Sequence, residues 1–184
     1  MRYVDWAAAD LRLLAAMRDC GSRPRIAAAA RALSLSGEHG ALWIAAGLVG
    51  AAADRERRGA WLRATVLVCA AHVASIGVKR AVRRPRPQLP SEPLVRTATR
   101  HSFPSSHATS AAAAAVAFGA LRPAGRRLAP PLAAAMCVSR LVAGVHYPTD
   151  IAAGAVLGGL TAGMGAAWMT RPLAPPAAEG GRNG

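Results

Sequence analysis

Long apolar runs alternate with short polar segments along most of the chain, and this pattern predicts an all-α protein. A helix needs about 20 predominantly apolar residues to cross the hydrocarbon core of a bilayer. Most runs come close to this length, and the first, which is short, is expected to extend backwards past His39. We therefore predict an integral-membrane helical bundle of about five spans, which are residues 41–53, 61–79, 105–121, 130–145 and 149–170.

The N-terminal segment has a different pattern. Between residues 3 and 19 the apolar positions recur near one face of a helix, whereas Asp10, Arg12 and Arg18 fall elsewhere on it. The segment is too charged to span a bilayer, so we predict an amphipathic helix that lies in the membrane interface. A second short helix is expected at residues 25–35.

Composition and charge narrow the class of protein. Of the 184 residues, 53% are hydrophobic, and the formal net charge is +14. A positive charge suits nucleic acid or an anionic membrane. Here the Arg clusters lie between apolar runs, which favours a membrane protein with basic loops and no nucleic-acid partner. The three Cys have neither disulfide nor metal-ligand spacing. We predict one membrane domain, residues 1–171, and a disordered tail, residues 172–184.

A basic, Pro-rich segment, residues 80–104, separates the second and third predicted spans. Its Pro residues exclude a long helix, and about 25 residues without regular structure are uncommon in a compact domain unless they have a function. If five spans alternate in direction, this segment and the turn at residues 145–149 lie at the same face of the membrane. Lys79, His107 and Asp150 flank them, so polar residues that are distant in sequence are expected to converge there.

Three polar stretches at this face carry what a phosphate ester requires, namely cations, a nucleophile and an acid for the leaving group. Lys79, Arg86 and Arg140 offer three positive charges. Ser105 and the backbone N–H groups of the next two residues lie at a helix start and form a natural anion cradle. The stretches are Lys79-x6-Arg86-Pro87, Phe103-Pro104-Ser105-Ser106-His107 and Ser139-Arg140-x5-His146-x3-Asp150.

His146 has the features of a nucleophile towards phosphorus. A neutral imidazole attacks phosphorus provided that a partner fixes its tautomer. Pro148 is favoured at the first position of a helix, which places Asp150 in the first turn, close to His146. The carboxylate could then accept the Nδ1 proton and leave Nε2 free to attack. A polar loop between two apolar helices is the alternative interpretation of this stretch.

In this order and spacing, the three stretches resemble the signature motifs of the type 2 phosphatidic acid phosphatase (lipid phosphate phosphatase) superfamily. Those motifs are Lys-x6-Arg-Pro, Pro-Ser-Gly-His and Ser-Arg-x5-His-x3-Asp. The resemblance covers residues 79–150, and all spacings match. Ser106 stands where the family pattern has Gly, which matters only if the backbone there requires a positive φ.

The resemblance implies a role for each residue. His146 forms a phosphohistidine, Asp150 orients it, and His107 protonates the leaving oxygen and then activates water. No metal ion or other cofactor is required. The residues that bind the phosphate are Lys79, Arg86, Ser105, Ser106 and Arg140.

Other polar residues near these stretches are expected to lie outside the site. Arg80, Arg83 and Arg84 are expected to face solvent or lipid headgroups. His39 could line the mouth of the site, but it is expected to be an interfacial polar residue. His72 is expected to be a packing residue within the second span.

The expected substrate is a long-chain lipid phosphate, because the site lies at the mouth of the bundle, near the headgroups of the surrounding membrane lipids. The Ala- and Arg-rich composition is typical of a high-GC bacterium, which favours a polyprenyl diphosphate or a polyprenyl-phosphoryl sugar phosphate. Residues 35–40 are similar to actinobacterial decaprenylphosphoryl-phosphoribose phosphatases. Phosphatidylglycerophosphate and phosphatidic acid remain open as substrates.

The expected location is the plasma membrane, which the chain crosses several times. Its basic residues divide almost evenly between the two faces, so the positive-inside rule gives no orientation, and the resemblance implies an extracytoplasmic site. Two alternatives remain. A vanadate-dependent haloperoxidase shares the motifs but is a larger soluble protein, and a non-catalytic membrane protein could bind anionic lipid with the same cations.

Overall fold

The computed structural model describes residues 6–171, and over this range the chain is helical. Within the same residues, extended pairing is limited to one isolated antiparallel bridge, between Pro85 and His101. The all-α fold is thus confirmed, while the predicted tail, residues 172–184, lies outside the described residues. The helices are α1 (Trp6–Cys20), α2 (Pro24–Ser36), α3 (Ala41–Ala53), α4 (Arg58–Val82), α5 (Ser106–Leu121), α6 (Pro123–Val142), α7 (Pro148–Met164) and α8 (Ala166–Met169).

The centre of the bundle is α5, which packs most extensively against α6 and α7 and then against α4. Its sequence explains this position, because half of its 16 residues are Ala and small side chains let several neighbouring helices approach at once. Ala108, Ala111, Ala114 and Ala117 are all buried. The start of α5 is therefore surrounded by the ends of the other helices, where the polar stretches lie.

Glycine lets α7 approach α5 closely. A Cβ atom at Gly158 would overlap the backbone carbonyl of Thr109, and one at Gly154 would lie 2.6 Å from the carbonyl oxygen of Ser105. The two backbones are therefore in contact, as the small-residue spacing allows. At the end of this contact, the N–H of Ser105 donates to the carbonyl of Asp150 at 3.0 Å. The beginnings of α5 and α7 are thus tied to each other by main-chain atoms.

Two outer helices, α1 and α2, pack mainly against α6 and hold the long segment between α4 and α5. Arg18 of α1 donates to the carbonyl of Glu92 at 2.7 Å, and Arg31 of α2 donates to the carbonyl of Leu94 at 3.2 Å. The N–H of Leu94 in turn donates to the carbonyl of Ala143 at 3.0 Å. The basic segment is therefore fixed over the turn that follows α6.

Three helices differ from the prediction in their boundaries. α6 begins at Pro123, well before the predicted start at residue 130, because Pro123 suits the first helical position and Pro130 and its neighbour are accommodated inside the helix. α4 is longer than predicted at both ends. The last predicted span is divided, since α7 ends at Met164 and a break at Gly165 precedes α8.

The predicted N-terminal helix is present as α1, but its inward face is not purely apolar. Asp10 and Leu14 are its buried residues, with 5% and 0% of their surface exposed, whereas Trp6 and Leu13 are exposed. The sequence pattern places Asp10 away from the apolar face, and this expectation is wrong. A position of α1 in the membrane interface stays a prediction.

Among the described residues, one helical stretch is long and apolar enough to cross a membrane by its length and composition. It comprises the 28 residues Arg55–Val82, in which a 3-10 turn leads into α4. The apolar helix α5 has 16 residues and α7 has 17, fewer than the roughly 20 of a full span. The number of about five spans therefore stays a prediction.

The contact between α5 and α7 leads to a prediction about stability. Gly158→Ala is expected to lower the stability of the fold by about 1–3 kcal/mol, the usual cost of overpacking, because the added Cβ pushes α7 away from α5. Gly159→Ala is the matched control, since nothing lies within 4 Å of a Cβ at that position. Thermal unfolding in detergent, followed by circular dichroism, compares the two variants. Equal melting temperatures would contradict the direct backbone contact.

Candidate active site

The turn between α6 and α7 carries His146. Gly144 has a φ of +74°, which lets the chain change direction after α6, and Pro148 begins α7. His146 is 2% exposed. Its Nδ1 lies 3.5 Å from Oδ2 of Asp150, and its Nε2 lies 3.4 Å from Nη1 of Arg86. The imidazole is therefore held between a carboxylate and a guanidinium.

Asp150 is fully buried, and its carboxylate is fixed from two sides. Oδ2 accepts from the backbone N–H of Tyr147 at 2.9 Å, and Oδ1 accepts from the guanidinium of Arg84 at 2.8 Å. The distance to Nδ1 of His146 is longer than that of a formed hydrogen bond, and catalytic hydrogen bonds often tighten only when substrate binds. This arrangement suits a proton on Nδ1 and a lone pair on Nε2.

His146 is neutral in this environment. Burial lowers the pKa of its imidazole to about 3. Asp150 acts in the opposite direction but is outweighed, because nearby cations reinforce the effect of burial; these are Arg86, Arg140 and Lys79. At neutral pH the ring therefore keeps the lone pair that a nucleophile needs.

A cavity of 280 Å³ lies next to His146. Its walls come from the turn before α3, the end of α4, the basic segment, the start of α5 and the end of α6 with its turn. The structure thus brings together residues from five stretches at one end of the bundle. The site residues assigned from the sequence that line it are Lys79, Arg86, Ser106, His107, Arg140 and His146.

Arg140 and Lys79 reach this cavity with different bonding partners. Arg140 is 3% exposed, and its Nε and Nη1 have no hydrogen-bond partner among residues 6–171. The Nζ of Lys79 donates to the carbonyls of Ser102 and Pro104 at 3.2 and 2.8 Å. Buried donors without partners are rare, so an anion in the cavity would satisfy Arg140.

Arg86 joins the basic segment to the turn after α6. Its Nε donates to the carbonyl of Thr99 at 2.9 Å, and its Nη1 donates to the carbonyl of Val145 at 2.7 Å. Burial lowers the pKa of this guanidinium, and the negative charges of Asp150 and Glu38 oppose that shift. Arginine stays charged under such a shift because its ordinary pKa is so high.

The two serines at the start of α5 differ in their contacts. Ser105 is the N-cap, because its Oγ accepts from the N–H of Ala108 at 3.4 Å, and it is not among the residues that line the cavity. Ser106 does line the cavity, and its Oγ lies 2.8 Å from the Oγ of Ser75. The backbone of Ser106 does not have a positive φ. Serine therefore fits without strain where the family pattern has Gly.

His107 is held by α2. Its Nε2 lies 2.9 Å from the carbonyl oxygen of Ser34. A carbonyl only accepts hydrogen bonds, so Nε2 carries a proton and Nδ1 is the nitrogen left for proton transfer. Gly37 leaves room for the ring, since a Cβ there would lie 2.8 Å from Cδ2 of His107 and 2.7 Å from Cε of Met136.

Further polar residues line the cavity that the sequence analysis places outside the site. His39 and His72 are among them, together with Glu38 and Arg80. Nδ1 of His72 lies 2.9 Å from Oγ of Ser110. Both histidines therefore lie at the wall of the cavity, outside the set of residues that the sequence analysis assigns to the site. These are single polar residues within turns and helices, and neither spacing nor periodicity marks them in the sequence.

Arg84 also lies elsewhere than expected. Its guanidinium forms ion pairs with Asp10 at 2.9 Å and with Asp150 at 2.8 Å, and it lies over the ring of Tyr147, 3.9 Å from the centroid. The expectation that Arg84 faces solvent or headgroups is therefore wrong, whereas Arg83 is exposed as expected. The sequence signals no difference between these two adjacent arginines.

Within residues 6–171, no group of three or more His, Cys, Asp or Glu side chains is arranged to hold a metal ion. The charged groups that line the cavity in this part of the chain are Glu38, Lys79, Arg80, Arg86 and Arg140. Such a set, with one carboxylate among four cations, suits an anion such as a phosphate group.

The chain is similar in sequence to known phosphatases. The family model of the PAP2 superfamily matches residues 60–173. The chain is 45% identical over 148 residues to the decaprenylphosphoryl-5-phosphoribose phosphatase of Mycolicibacterium smegmatis, which covers 79% of this chain and 80% of that protein. It is 44% identical over 137 residues to the protein of the same name from Mycobacterium tuberculosis, with 74% and 76% covered.

A solved structure shares the fold. It is the crystal structure of a transmembrane PAP2 type phosphatidylglycerolphosphate phosphatase from Bacillus subtilis. The TM-score is 0.58 at 18% sequence identity, and the match covers 88% of this chain and 94% of that one. Identity this low supports the helical architecture alone.

The space left by Gly37 leads to a prediction about the site. Gly37→Ala is expected to lower turnover about 10-fold or more, because a shift of His107 by a fraction of an ångström misaligns a reacting group. Inhibition by vanadate should change little, since the cations stay in place. Gly77→Ala is the control, as a Cβ there meets nothing within 4 Å. Release of inorganic phosphate from a lipid phosphate in detergent is the measurement, and turnover of Gly37→Ala equal to that of the control would contradict the positioning of His107 by α2.

Proposed function

The chain belongs to the PAP2 superfamily and is a lipid phosphate phosphatase, and from this premise we propose that it works through a phosphohistidine on His146. One observation carries the proposal. His146 is buried, with Nδ1 towards Asp150 and Nε2 beside Arg86, in a cavity that is rich in positive charge. A neutral imidazole oriented in this way has the lone pair and the setting for attack on phosphorus.

In the first step, Nε2 of His146 attacks the phosphorus atom and a P–N bond forms. The bond between phosphorus and the leaving oxygen breaks, and His107, once it has taken up a proton together with the anionic substrate, gives that oxygen a proton. Cations bind the non-bridging oxygens and neutralise the charge that develops on them; these are Lys79, Arg86 and Arg140. Asp150 stabilises the positive charge that the ring gains while Nδ1 keeps its proton.

In the second step, water attacks the phosphohistidine. His107, which is now neutral, removes a proton from the water, and the P–N bond breaks. Inorganic phosphate leaves, the electron pair of the broken bond returns to Nε2 of His146, and His107 is again protonated. No metal ion enters either step.

The substrate that we propose is a polyprenyl-phosphoryl sugar phosphate. The named relatives that are 44–45% identical to this chain carry the term decaprenylphosphoryl-5-phosphoribose phosphatase. Glu38 gives an independent argument, because it is the single carboxylate among the residues that line the described cavity. A carboxylate accepts hydrogen bonds from the hydroxyl groups of a sugar, and a polyprenyl diphosphate has no such groups.

The membrane setting is also proposed. We place the chain in the plasma membrane, which it crosses several times, with the cavity open on the extracytoplasmic side near the lipid headgroups. A polyprenyl chain would then remain among the membrane lipids while its phosphorylated sugar enters the cavity. The exposed apolar side chains of α3, α4 and α7 agree with contact to lipid; among them are Leu48, Val66, Val73, Val156 and Leu160.

The nucleophile hypothesis leads to the first prediction. His146→Ala is expected to abolish turnover, to the limit of detection, because Nε2 of His146 is the proposed acceptor of the phosphoryl group. Binding of vanadate, measured by calorimetry, should persist because the cations remain. Phosphate release in the presence of excess chelator is the assay. Substantial turnover by His146→Ala would contradict the mechanism, and loss of wild-type activity in chelator that a divalent ion restores would contradict its independence of metal.

The position of Glu38 leads to the second prediction. Glu38→Gln should raise KM for a polyprenyl-phosphoryl ribose phosphate about 10-fold, because a hydrogen bond to a charged group is replaced by one to a neutral group. KM for phosphatidic acid, which has no sugar hydroxyl, should stay the same. Glu56→Gln is the control, since Glu56 is exposed in the connector before α4. An equal effect on both substrates would show that Glu38 acts on the phosphate site and not on the sugar.

A further inference from the structure

Arg84 connects two carboxylates that lie far apart in sequence. Its Nη2 donates to Oδ2 of Asp10 at 2.9 Å, and its Nη1 donates to Oδ1 of Asp150 at 2.8 Å. Nη1 also lies 2.7 Å from the hydroxyl oxygen of Thr149. The flat face of the guanidinium lies over the ring of Tyr147, 3.9 Å from its centroid. The side chain is thus held in one orientation by four neighbours.

Asp10 forms the other end of this connection. It belongs to α1 and is 5% exposed. Its Oδ1 accepts from the backbone N–H of Thr149 at 3.0 Å, and its Oδ2 accepts from the hydroxyl of the same residue as well as from Arg84. The N–H groups in the first turn of a helix have no partner within the helix. Asp10 therefore caps α7 from outside, one residue before Asp150.

The two oxygens of Asp150 have different tasks in this arrangement. Oδ2 accepts from Tyr147 and faces His146, while Oδ1 is bonded to Arg84. A buried carboxylate oxygen without a partner is costly, so removing Arg84 favours a rotation of the carboxylate towards another donor. Such a rotation would move Oδ2 away from Nδ1 of His146.

We propose that Arg84 and Asp10 are positioning residues for the Asp150–His146 pair, and that this connection makes turnover depend on the docking of α1. Neither residue touches the cavity, so both act through Asp150. The proposal rests on the proposed function in one respect, which is that Asp150 orients the nucleophile His146. Asp10 lies outside residues 60–173, which the family model matches, so the connection includes an element that the family model does not cover.

The test compares two adjacent arginines. Arg84→Gln is expected to lower kcat about 10–100-fold, the range typical of residues that orient a reacting group without touching the substrate. KM and inhibition by vanadate should stay within about 2-fold of the wild-type values. Arg83→Gln is the matched control, because Arg83 is exposed and its Nε donates to the carbonyl of Arg80, in the last turn of α4, at 3.0 Å. Equal turnover of the two variants would overturn the proposal.

A double-mutant cycle separates positioning from a general loss of structure. In the background of Asp150→Asn, Arg84→Gln should cost less than about 3-fold in kcat, because the carboxylate that Arg84 orients is already gone. Asp10→Asn should lower kcat by a smaller factor than Arg84→Gln and should be non-additive with it. If the fold losses in kcat of Arg84→Gln and Asp150→Asn multiply in the double variant, Arg84 acts independently of Asp150 and the proposal is overturned. If Arg84→Gln does not fold, the cycle of Asp10→Asn with Asp150→Asn decides the same question.

Different variants test the proposed mechanism and the positioning role. Substantial activity of His146→Ala contradicts the proposed mechanism whatever Arg84 does. An inactive His146→Ala, together with an Arg84→Gln variant that matches Arg83→Gln, contradicts only the positioning role. Arg84→Lys adds a further readout, because it keeps the charge but lacks the planar fork that reaches both carboxylates. It should recover less than half of the lost kcat.

Discussion

The buried carboxylate of Asp150 is the interaction on which the other features of this site depend. A carboxylate without contact to water is costly unless it is paired and hydrogen-bonded. Asp150 meets this condition through a backbone N–H, the guanidinium of Arg84 and the approach of His146. Its own carbonyl accepts from Ser105 at the start of α5. One residue therefore fixes the turn after α6, the first turn of α7 and the beginning of α5.

The cavity beside Asp150 carries an excess of positive charge. Arg140 is buried with two guanidinium nitrogens that have no partner among the described residues, and Lys79 and Arg86 are also directed to this end of the bundle. Backbone carbonyls satisfy Lys79 and Arg86 in part. A doubly charged phosphate group would supply the partners that Arg140 lacks, without any change in the fold.

Much of the site could be predicted because its residues lie at helix ends with fixed spacing. The order of the three stretches identifies Lys79, Arg86, His107, Arg140 and His146, and alternation of apolar runs brings them to one end of the bundle. Arg84 and Asp10 could not be predicted in this way, since an ion pair between residues 74 positions apart leaves no periodic signal. The start of α6 was ambiguous for a different reason. Proline is equally acceptable at the first helical position at Pro123 and at Pro130, and only packing decides between them.

The backbone contact between α5 and α7 has a consequence for how substitutions affect the site. His107 and Asp150 lie on two helices whose main chains touch and are joined by a hydrogen bond, so side-chain changes elsewhere can hardly alter the distance between them. The opposite wall is built from the turn before α3, where His39 has a φ of 52° and Glu38 lines the cavity. That turn is not locked by a neighbouring backbone in the same way. A substitution at Glu38 or His39 can therefore change the wall of the cavity while the distance between His107 and Asp150 stays the same.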